Sequence, residues 1–331
     1  MPFKLPVLGT ISVSEMTCHQ SCKRKRYLRY VLGRRRKDTS AGRKFGTLFH
    51  RGLNTWWSAP VDPYKAAIEA MRAIESDTVA AVIAEELMLQ YDIKWKDEPY
   101  EVHAVEPVFR CPLVNPETGA ASRTFEEVGA IDVIVRDTSD NKFKLVEHKT
   151  SADDISPGSN YWRRLAIDNQ VSTYFVGGRS LGFPIEECIY DVIGKPRHRP
   201  LLATPEELRK YTKATKTEPS RLYANQRDTD ETLDEFRLRL RAELIEKRDQ
   251  YLVRGTVVRL ETEEREAALD NWLVAKDIRD CDRMGHYPRS HRSCTEWGQE
   301  CDYFDVCTGA ASIDDENLFR TATSKHEELE R

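Results

Sequence analysis

The chain has 331 residues, of which 40% are hydrophobic and 32% are charged. This length suits one large or two modest domains, and the hydrophobic fraction is ample for a buried core, which excludes a chain that is disordered by composition. No apolar run approaches the about 18 residues that a membrane-spanning helix needs, and the proline-interrupted N-terminus does not resemble a signal peptide. We therefore expect a folded protein of the cytoplasm with no membrane partner.

Positive charge is concentrated near the N-terminus, although the net charge is only −4. Residues 23–44 hold eleven Lys and Arg residues and a single acid, Asp38. The stretch begins within a helix predicted over residues 12–32, which Ser12 or Ser14 can cap and Gly33 ends. Either it is a solvated surface, or it binds an anionic partner such as a phosphate backbone. A second basic region, residues 195–216, is rich in loops.

A second helix is predicted over residues 41–58, where large apolar side chains recur with helical spacing. His50 lies in this helix. A lone histidine on such a helix is usually a packed, hydrogen-bonded residue, so the spacing alone does not assign it a function. One or two further helices over residues 63–91 and a strand over residues 100–111 follow, and Glu106 lies within that strand.

Two neighbouring strands, residues 129–135 and 143–149, form the centre of the predicted structure. The connection between them is rich in turn-forming residues and suits a hairpin. The first strand carries one acid, Asp132. The second carries Glu147 and Lys149, which point to the same face because strand side chains alternate.

Two carboxylates and a lysine at one end of a sheet can perform specific chemistry. Asp132 and Glu147 could hold one or two Mg²⁺ ions, which prefer hard oxygen ligands. Such an ion generates hydroxide from water and neutralises the charge of a phosphodiester. Lys149 could then orient the water or stabilise the developing oxyanion. The alternative is a strand whose polar residues simply face solvent.

The rest of the chain alternates between predicted helices and strands. A helix around residues 161–181 carries Gln170 and Tyr174, which share a face and could reach a phosphate or position an active site, or could be ordinary half-exposed residues. Further expected elements are a strand over 185–193, a helix start at Thr204, a helix over 228–252, a strand over 251–260 and a helix over 262–281. The residues after Thr308 are polar, and we expect them to be frayed.

Three of the eight cysteines, Cys294, Cys301 and Cys307, lie close together in a loop-rich segment. In a reducing cytosol such a group more often binds a metal than forms disulfides. Metal and iron–sulfur sites usually take four ligands, and the fourth could be Cys22, Cys18 or Cys281. The wide spacing suits a [4Fe–4S] cluster better than a zinc finger. Zinc, or three buried cysteines without a ligand, are the alternatives.

The combined motifs resemble the PD-(D/E)XK nuclease superfamily. Asp132, followed by Glu147-His148-Lys149, resembles its signature. His50, in the sequence Gly-Thr-Leu-Phe-His, resembles the upstream histidine of the RecB-like branch. Gln170-x₃-Tyr174 resembles the QxxxY motif of that branch, and Cys22 with the three distant cysteines resembles the iron–sulfur staple of the Cas4 and AddB nuclease domains and of many phage exonucleases.

This resemblance implies an α/β fold with a mixed central sheet flanked by helices. It implies a single nuclease domain over residues 1–308, with a core at about 41–194, an insertion and helices at 195–280, and a cysteine segment at 281–308 that is tied to helix 12–32; residues 309–331 form a polar tail. It implies metal ligands at His50, Asp132, Glu147 and the backbone carbonyl of His148, a catalytic role for Lys149, assisted by Gln170 and Tyr174, and an iron–sulfur cluster on Cys22, Cys294, Cys301 and Cys307.

Two departures from the family pattern bear on the cluster. The usual Cys-Pro after the first helix is here Cys22-Lys23, which leaves Cys18 open as an alternative ligand. The usual short Cys-x₂-Cys is here Cys294-x₆-Cys301, which points away from Cas4 itself and towards RecB-like phage or bacterial nucleases. Cys281 is a poorer candidate because its neighbours are acidic.

The resemblance implies a DNA exonuclease that depends on Mg²⁺ or Mn²⁺ and acts in recombination, repair or phage DNA processing, with recombination or replication proteins as further partners. The basic residues 23–44 and 195–216 would contact the DNA backbone. A non-catalytic DNA-binding protein and a partner-binding subunit of a recombination complex are the alternatives with the same fold. A zinc-stapled nuclease is the alternative for the cluster.

Overall fold

The computed structural model describes residues 8–37, 41–165, 167–215, 219–296 and 300–330. Ten strands are described within these ranges: β1 Gly9–Ser12, β2 Arg34–Arg36, β3 Tyr100–Val105, β4 Val108–Val114, β5 Ala121–Ala130, β6 Val133–Asp137, β7 Lys142–Ser151, β8 Ile185–Gly194, β9 Leu252–Val257 and β10 Phe319–Thr321. The helices are α1 Val13–Ser21, α2 Lys23–Arg26, α3 Ala41–Ser58, α4 Pro63–Arg72, α5 Val79–Trp95, α6 Asn160–Leu165, α7 Asn169–Ser180, α8 Leu233–Glu246, α9 Arg248–Tyr251, α10 Glu261–Met284 and α11 Phe304–Thr308.

The main sheet has five strands in the order β3-β6-β7-β8-β9, and only the β7–β8 pair is parallel. A second sheet has the order β1-β5-β4, with β1 parallel and β4 antiparallel to β5. Alternate residues of the main-sheet strands point to opposite faces of the sheet, and helices pack on both faces. Val133 and Val146 pack with α3, α4, α5 and α8, whereas Ile134 and Leu145 pack with α6 and α7. The predicted mixed α/β architecture is confirmed.

The predicted hairpin is formed by β6 and β7, in which Val133 pairs with Val146 and Asp137 with Lys142. The prediction of one strand over 129–135 was wrong in one respect. The chain leaves the second sheet at Ala130 and enters the main sheet at Val133. Asp132 therefore lies at the junction of the two sheets. The predicted strand 100–111 is likewise divided into β3 and β4, with Glu106 at the junction in a left-handed conformation (φ 51°).

Two other helix predictions need correction. The helix expected over 12–32 is broken at Cys22, whose backbone is extended (φ −158°, ψ 115°), and a π-helical turn, Tyr27–Val31, follows α2. Ser12 is the N-cap of α1, because the Ser12 hydroxyl accepts a hydrogen bond from the backbone N–H of Glu15 at 3.1 Å. The helix start expected at Thr204 yields only one 3₁₀ turn, Glu206–Leu208.

The prediction that the residues after Thr308 are frayed was wrong. β10 pairs with β2 in an antiparallel ribbon. Phe319 is buried against Leu28 and Tyr303, and its ring stacks on that of Tyr303 with 5.8 Å between centroids. Burial of this aromatic ring contributes about 2 kcal/mol or more, and Ile313 and Leu318 pack against the same cluster.

Helix α7 approaches the second sheet very closely. The Phe109 ring lies against Gly129 of β5 and Gly177 of α7, and a Cβ at either glycine would come within 2.6 Å of that ring. The Phe109 ring therefore fills the space between the helix and the strand at this point, and the Tyr174 ring lies beside it at Gly129. The close approach positions the first turn of α7 beside the end of β7.

No helix among the described residues is both long enough and apolar enough to span a lipid bilayer.

Candidate active site

The catalytic residues expected from the motifs line one cavity of about 240 Å³. They come from four places in the fold: the β5–β6 junction, strand β7 and helices α3 and α7. The members are His50, Asp132, Glu147, His148, Lys149, Gln170 and Tyr174. Asp132 is fixed to β7 because its Oδ2 accepts a hydrogen bond from the backbone N–H of His148 at 2.8 Å.

A chain of hydrogen bonds connects β7 to α7 across the cavity. Lys149 Nζ donates to Glu147 Oε1 at 2.6 Å and to Gln170 Oε1 at 2.9 Å. The Gln170 amide in turn donates to the Tyr174 hydroxyl at 2.7 Å. Asp168 caps α7 by accepting from the backbone N–H of Gln170 at 2.8 Å, which sets the position of the glutamine. The lysine is thus held between a carboxylate and an amide.

Two of the acids of the cavity, Asp132 and Glu147, have opposite pKa shifts. Burial, with a contribution from the charge of Asp132, raises the pKa of Glu147 to about 8, although Lys149 opposes this shift. Burial also acts to raise the pKa of Asp132, but the charges of His50, His148 and Lys149 outweigh it and lower that pKa. Two buried carboxylates this close disfavour a second negative charge unless a cation enters.

The donor types suit a divalent cation, although His50, Asp132 and Glu147 do not bring three ligand atoms within 4.8 Å of one another. Glu147 is nearly fully buried, and its Oε2 has no hydrogen-bond partner, which leaves a hard oxygen ligand available. His148 is placed differently: its ring is buried beside Asp191, with 3.1 Å between Nδ1 and Oδ2. The other ring nitrogen, Nε2, is buried and has no hydrogen-bond partner. The main-chain carbonyl of His148 stays the ligand that the resemblance implies.

A family model described as the PD-(D/E)XK nuclease superfamily matches residues 10–308. The chain belongs to this superfamily. Its members are phosphodiester-hydrolysing enzymes that generally use divalent metals. No curated protein matches the sequence.

Solved structures resemble this PD-(D/E)XK nuclease at low sequence identity. A protein of Eubacterium rectale named as a candidate exonuclease is 11% identical, with a TM-score of 0.45, and the match covers 91% of this chain and 88% of that one. The protein SSO0001 is 16% identical, with a TM-score of 0.22, and the match covers 62% of this chain and 87% of that one.

Sequence reasoning missed several residues at the nuclease cavity. Glu328 and Leu329, from the segment expected to be frayed, form part of its wall, and so does Ser12. Behind the cavity, the fully buried Asp191 accepts hydrogen bonds from Tyr91 at 2.6 Å and from Arg254 at 3.1 Å. The signal for this network was an acid within the apolar second half of β8, since buried charges are normally paired.

The four cysteines expected to bind a cluster meet in one region of the nuclease. The Ser290 backbone N–H donates to Cys22 Sγ at 3.4 Å, and Cys294 Sγ donates to the Ser290 carbonyl at 3.5 Å. The Cys301 N–H donates to the Cys294 carbonyl at 2.8 Å. Burial raises the pKa of the Cys307 thiol, and the neighbouring thiols of Cys22 and Cys301 raise it further.

A different group is the only one among the described residues that brings three potential ligand atoms within 4.8 Å of one another: His19, Asp277 and Cys281. Its carboxylate already accepts hydrogen bonds from Lys23 Nζ at 2.8 Å and lies 2.9 Å from His19 Nε2. The lysine supplies the positive charge that a metal would bring. We interpret this group as a hydrogen-bonded network that joins α1 to α10.

The basic stretch 23–44 is largely used within the protein. Seven of its cations contact residues that follow position 276 in the chain: Lys23, Arg24, Arg26, Arg34, Arg35, Arg36 and Arg43. Lys25 and Arg29 instead line a second cavity, of about 610 Å³, which shares Gln170 with the catalytic cavity. The stretch is therefore not a wholly solvated surface, and its contact with DNA stays a prediction.

Proposed function

We propose that this protein is a metal-dependent DNA exonuclease of the RecB-like type. The observation that carries the proposal is the set of hydrogen bonds from Glu147 through Lys149 to Gln170 and Tyr174, beside Asp132 in one cavity. This arrangement brings together every side chain that the RecB-like motifs contribute, from positions spread over α3, β7 and α7.

Each residue of the catalytic cavity has its own role in the proposed reaction. Asp132 and Glu147, with His50 and the His148 main chain, would hold Mg²⁺ or Mn²⁺, which when bound neutralises phosphate charge and makes water a better nucleophile. Lys149 keeps its proton: burial acts to lower its pKa, but the charge of Glu147 outweighs this and raises it well above its usual value. The ammonium can therefore donate to the attacking water or to a phosphate oxygen as the new P–O bond forms and the old one breaks. Gln170 and Tyr174 position the lysine.

The cavities beside the catalytic one support a path for a nucleic-acid strand. The cavity lined by Lys25 and Arg29 joins at Gln170. A further cavity, of about 390 Å³, shares His50 with the catalytic cavity and is lined by Arg51 and Thr150. Cations on both sides of the reacting group can contact successive phosphates without reading sequence. The basic loop region 195–216 remains a further proposed contact.

We also propose a [4Fe–4S] cluster on Cys22, Cys294, Cys301 and Cys307. Cys22 is buried and the other three cysteines are partly buried, and Cys22 and Cys301 are close enough to Cys307 to raise its pKa. A main-chain N–H directed at Cys22 Sγ is favourable for a charged sulfur ligand. A tetrahedral zinc ion would bring its sulfur ligands to about 3.8 Å from one another. In the described chain no three of these sulfurs lie within 4.8 Å of one another, which favours the larger cluster.

The test of activity is a nuclease assay on anaerobically purified protein with linear and circular DNA, each single- and double-stranded, and Mg²⁺ or Mn²⁺. Asp132→Ala, Glu147→Ala and Lys149→Ala should each lower the cleavage rate by about 10²–10³-fold or more, because each removes a group that stabilises charge in the transition state. The folded state should persist, as judged by thermal unfolding.

Lys142→Ala is the matched control, since Lys142 begins the same strand and is partly exposed outside the cavity. It should cleave at the wild-type rate. Degradation of linear DNA alone supports an exonuclease, whereas cleavage of circles makes the enzyme an endonuclease. Cleavage that is absent, or that persists in all three cavity variants, would favour the non-catalytic DNA-binding alternative.

A further inference from the structure

Residues 319–330, which we term the C-terminal strap, lie outside the part of the chain that matches the family model. The strap is held at several points along its length. β10 pairs with β2, and Lys325 Nζ donates to the Thr10 carbonyl at 2.6 Å and lies 2.8 Å from Glu15 Oε2. Arg35 lies 3.4 Å from Glu327. These contacts fix the strap along β1 and α1, which border the catalytic cavity.

Glu328 is the strap residue that brings charge to this cavity. Its Oε1 accepts a hydrogen bond from the Ser12 hydroxyl at 3.0 Å and another from the Tyr30 hydroxyl at 3.3 Å. Its Oε2 is buried and has no hydrogen-bond partner. One oxygen is therefore anchored to the protein, and the other is left without the donor that a buried carboxylate oxygen requires.

The carboxylate is ionised at neutral pH. Burial acts to raise the pKa of Glu328, but hydrogen bonds from His326 and Ser12 lower it to about 2. The cavity is thus lined by Glu106, Asp132, Glu147 and Glu328, with Lys149 among them. Glu147 is deeply buried, and its Oε2 also has no hydrogen-bond partner. Two carboxylate oxygens without donors at one small cavity favour a cation between them.

Direct ligation by all of these acids is not indicated, because in the described chain no three of them have oxygen atoms within 4.8 Å of one another. Mg²⁺ typically keeps several waters and takes only one or two carboxylates directly. A carboxylate at the cavity wall is then suited to accept hydrogen bonds from the hydration shell of the ion.

We propose that Glu328 is a positioning residue of the metal site, which accepts hydrogen bonds from the hydration shell of a divalent cation bound by Asp132 and Glu147. This inference rests on the proposed function of the same cavity. It gives the strap a part in cation binding that the family motifs do not contain.

The test measures Mn²⁺ binding by calorimetry, without substrate, in the full-length protein. Glu328→Gln removes the charge but keeps an oxygen that can accept from Ser12, and it should weaken Mn²⁺ binding about tenfold, the lower end of the range for an outer-shell partner. Its metal-free unfolding midpoint should fall somewhat, because the folded chain loses the charge that His326 and Ser12 stabilise, so binding is compared at a temperature well below both midpoints. Glu328→Asp keeps the charge and should recover part of the affinity, and it replaces Glu328→Gln as the test if that variant does not fold.

Glu327→Gln is the matched control on the strap, because Glu327 pairs with Arg320 at 2.6 Å and does not line the cavity. It should bind Mn²⁺ as the wild type does. Equal affinity in wild type and Glu328→Gln, with binding lost in Asp132→Asn, would overturn the role of Glu328 and leave the proposed metal site intact. Failure of the wild type to bind Mn²⁺ would overturn both.

Discussion

The catalytic cavity and the cysteine region are built in opposite ways. The motif residues Asp132, Glu147, Lys149, Gln170 and Tyr174 all lie within residues 132–174, from the start of the β6–β7 hairpin to helix α7. The cysteine region instead joins Cys22 to Cys294, Cys301 and Cys307, at the other end of the chain. Closing so long a loop costs conformational entropy, which a bound cluster can offset. We therefore expect changes in the cavity to affect chemistry, and changes at the cysteines to affect folding.

The largest effect that would sharpen this contrast is expected from Cys301→Ser. Loss of one cluster ligand should release the cluster and with it the link between the two ends of the chain, so that soluble yield falls severalfold and the brown colour disappears. Iron and sulfide analysis of anaerobically purified protein measures the result, with about four of each expected per wild-type chain and one zinc as the alternative.

Cys281→Ser provides the control for that experiment. Cys281 is buried in α10 next to Asp277 and is not grouped with the other four cysteines. Its serine variant should keep full iron content. Soluble, fully coloured Cys301→Ser protein would contradict the cluster, and loss of iron in Cys18→Ser rather than Cys22→Ser would change the fourth ligand.

Asp191→Asn would break the contrast, because this residue lies behind the catalytic cavity but should act on stability. The change removes the charge that pairs with the buried Arg254 guanidinium. We expect a loss of about 3 kcal/mol in the free energy of unfolding, the low end for a broken buried ion pair, since Arg254 keeps its contact with Glu98. Urea denaturation at constant m-value measures this loss.

Asp153→Asn is the surface counterpart, as the Asp153–Arg164 pair is half exposed on both sides. Such a pair contributes about 0–1 kcal/mol. Similar unfolding midpoints for Asp191→Asn and wild type would mean that the buried network does not stabilise the sheet. Residues around the cavity would then affect chemistry without affecting stability.

The smallest effect is expected from Lys25→Ala, at the boundary between the two regions. Lys25 is a half-buried residue of α2 that lines the cavity adjoining Gln170, and its charge also acts on the Cys18 and Cys301 thiols. Loss of one phosphate contact should weaken single-stranded DNA binding a fewfold and reduce the slope of log K against log[salt] by about 0.7. Fluorescence anisotropy in a Lys149→Ala background avoids cleavage during the measurement.

Lys65→Ala, on the exposed face of α4, is the matched control and should leave both affinity and slope unchanged. An unchanged slope for Lys25→Ala would remove the cavity beside Gln170 from the proposed strand path. It would leave the cavity at His50 and Arg51 as the remaining candidate.

Local patterns were sufficient to predict the parts of the fold that local contacts decide. The hairpin of β6 and β7 follows from alternation and turn residues, and helix α3 from its apolar spacing. The sheet change at Asp132 could not be predicted, because an apolar strand pattern continues across it while the pairing partners change. The partners of the basic stretch, the break at Cys22 and the docking of the strap depend on contacts between chain ends, and no local pattern encodes these.

The contact of Phe109 with Gly129 and Gly177 has a consequence for how such sequences can diverge. The Phe109 ring fills the space beside Gly177. A substitution that adds a methyl group at position 177 must therefore be accompanied by a smaller side chain at position 109. Homologues should therefore show these positions changing together, with alanine at the helix position accompanied by a residue smaller than phenylalanine on the strand. Helix α7 also carries Gln170, which accepts a hydrogen bond from Lys149. Substitutions at the Phe109 contact are therefore limited to those that keep Gln170 in place beside the lysine.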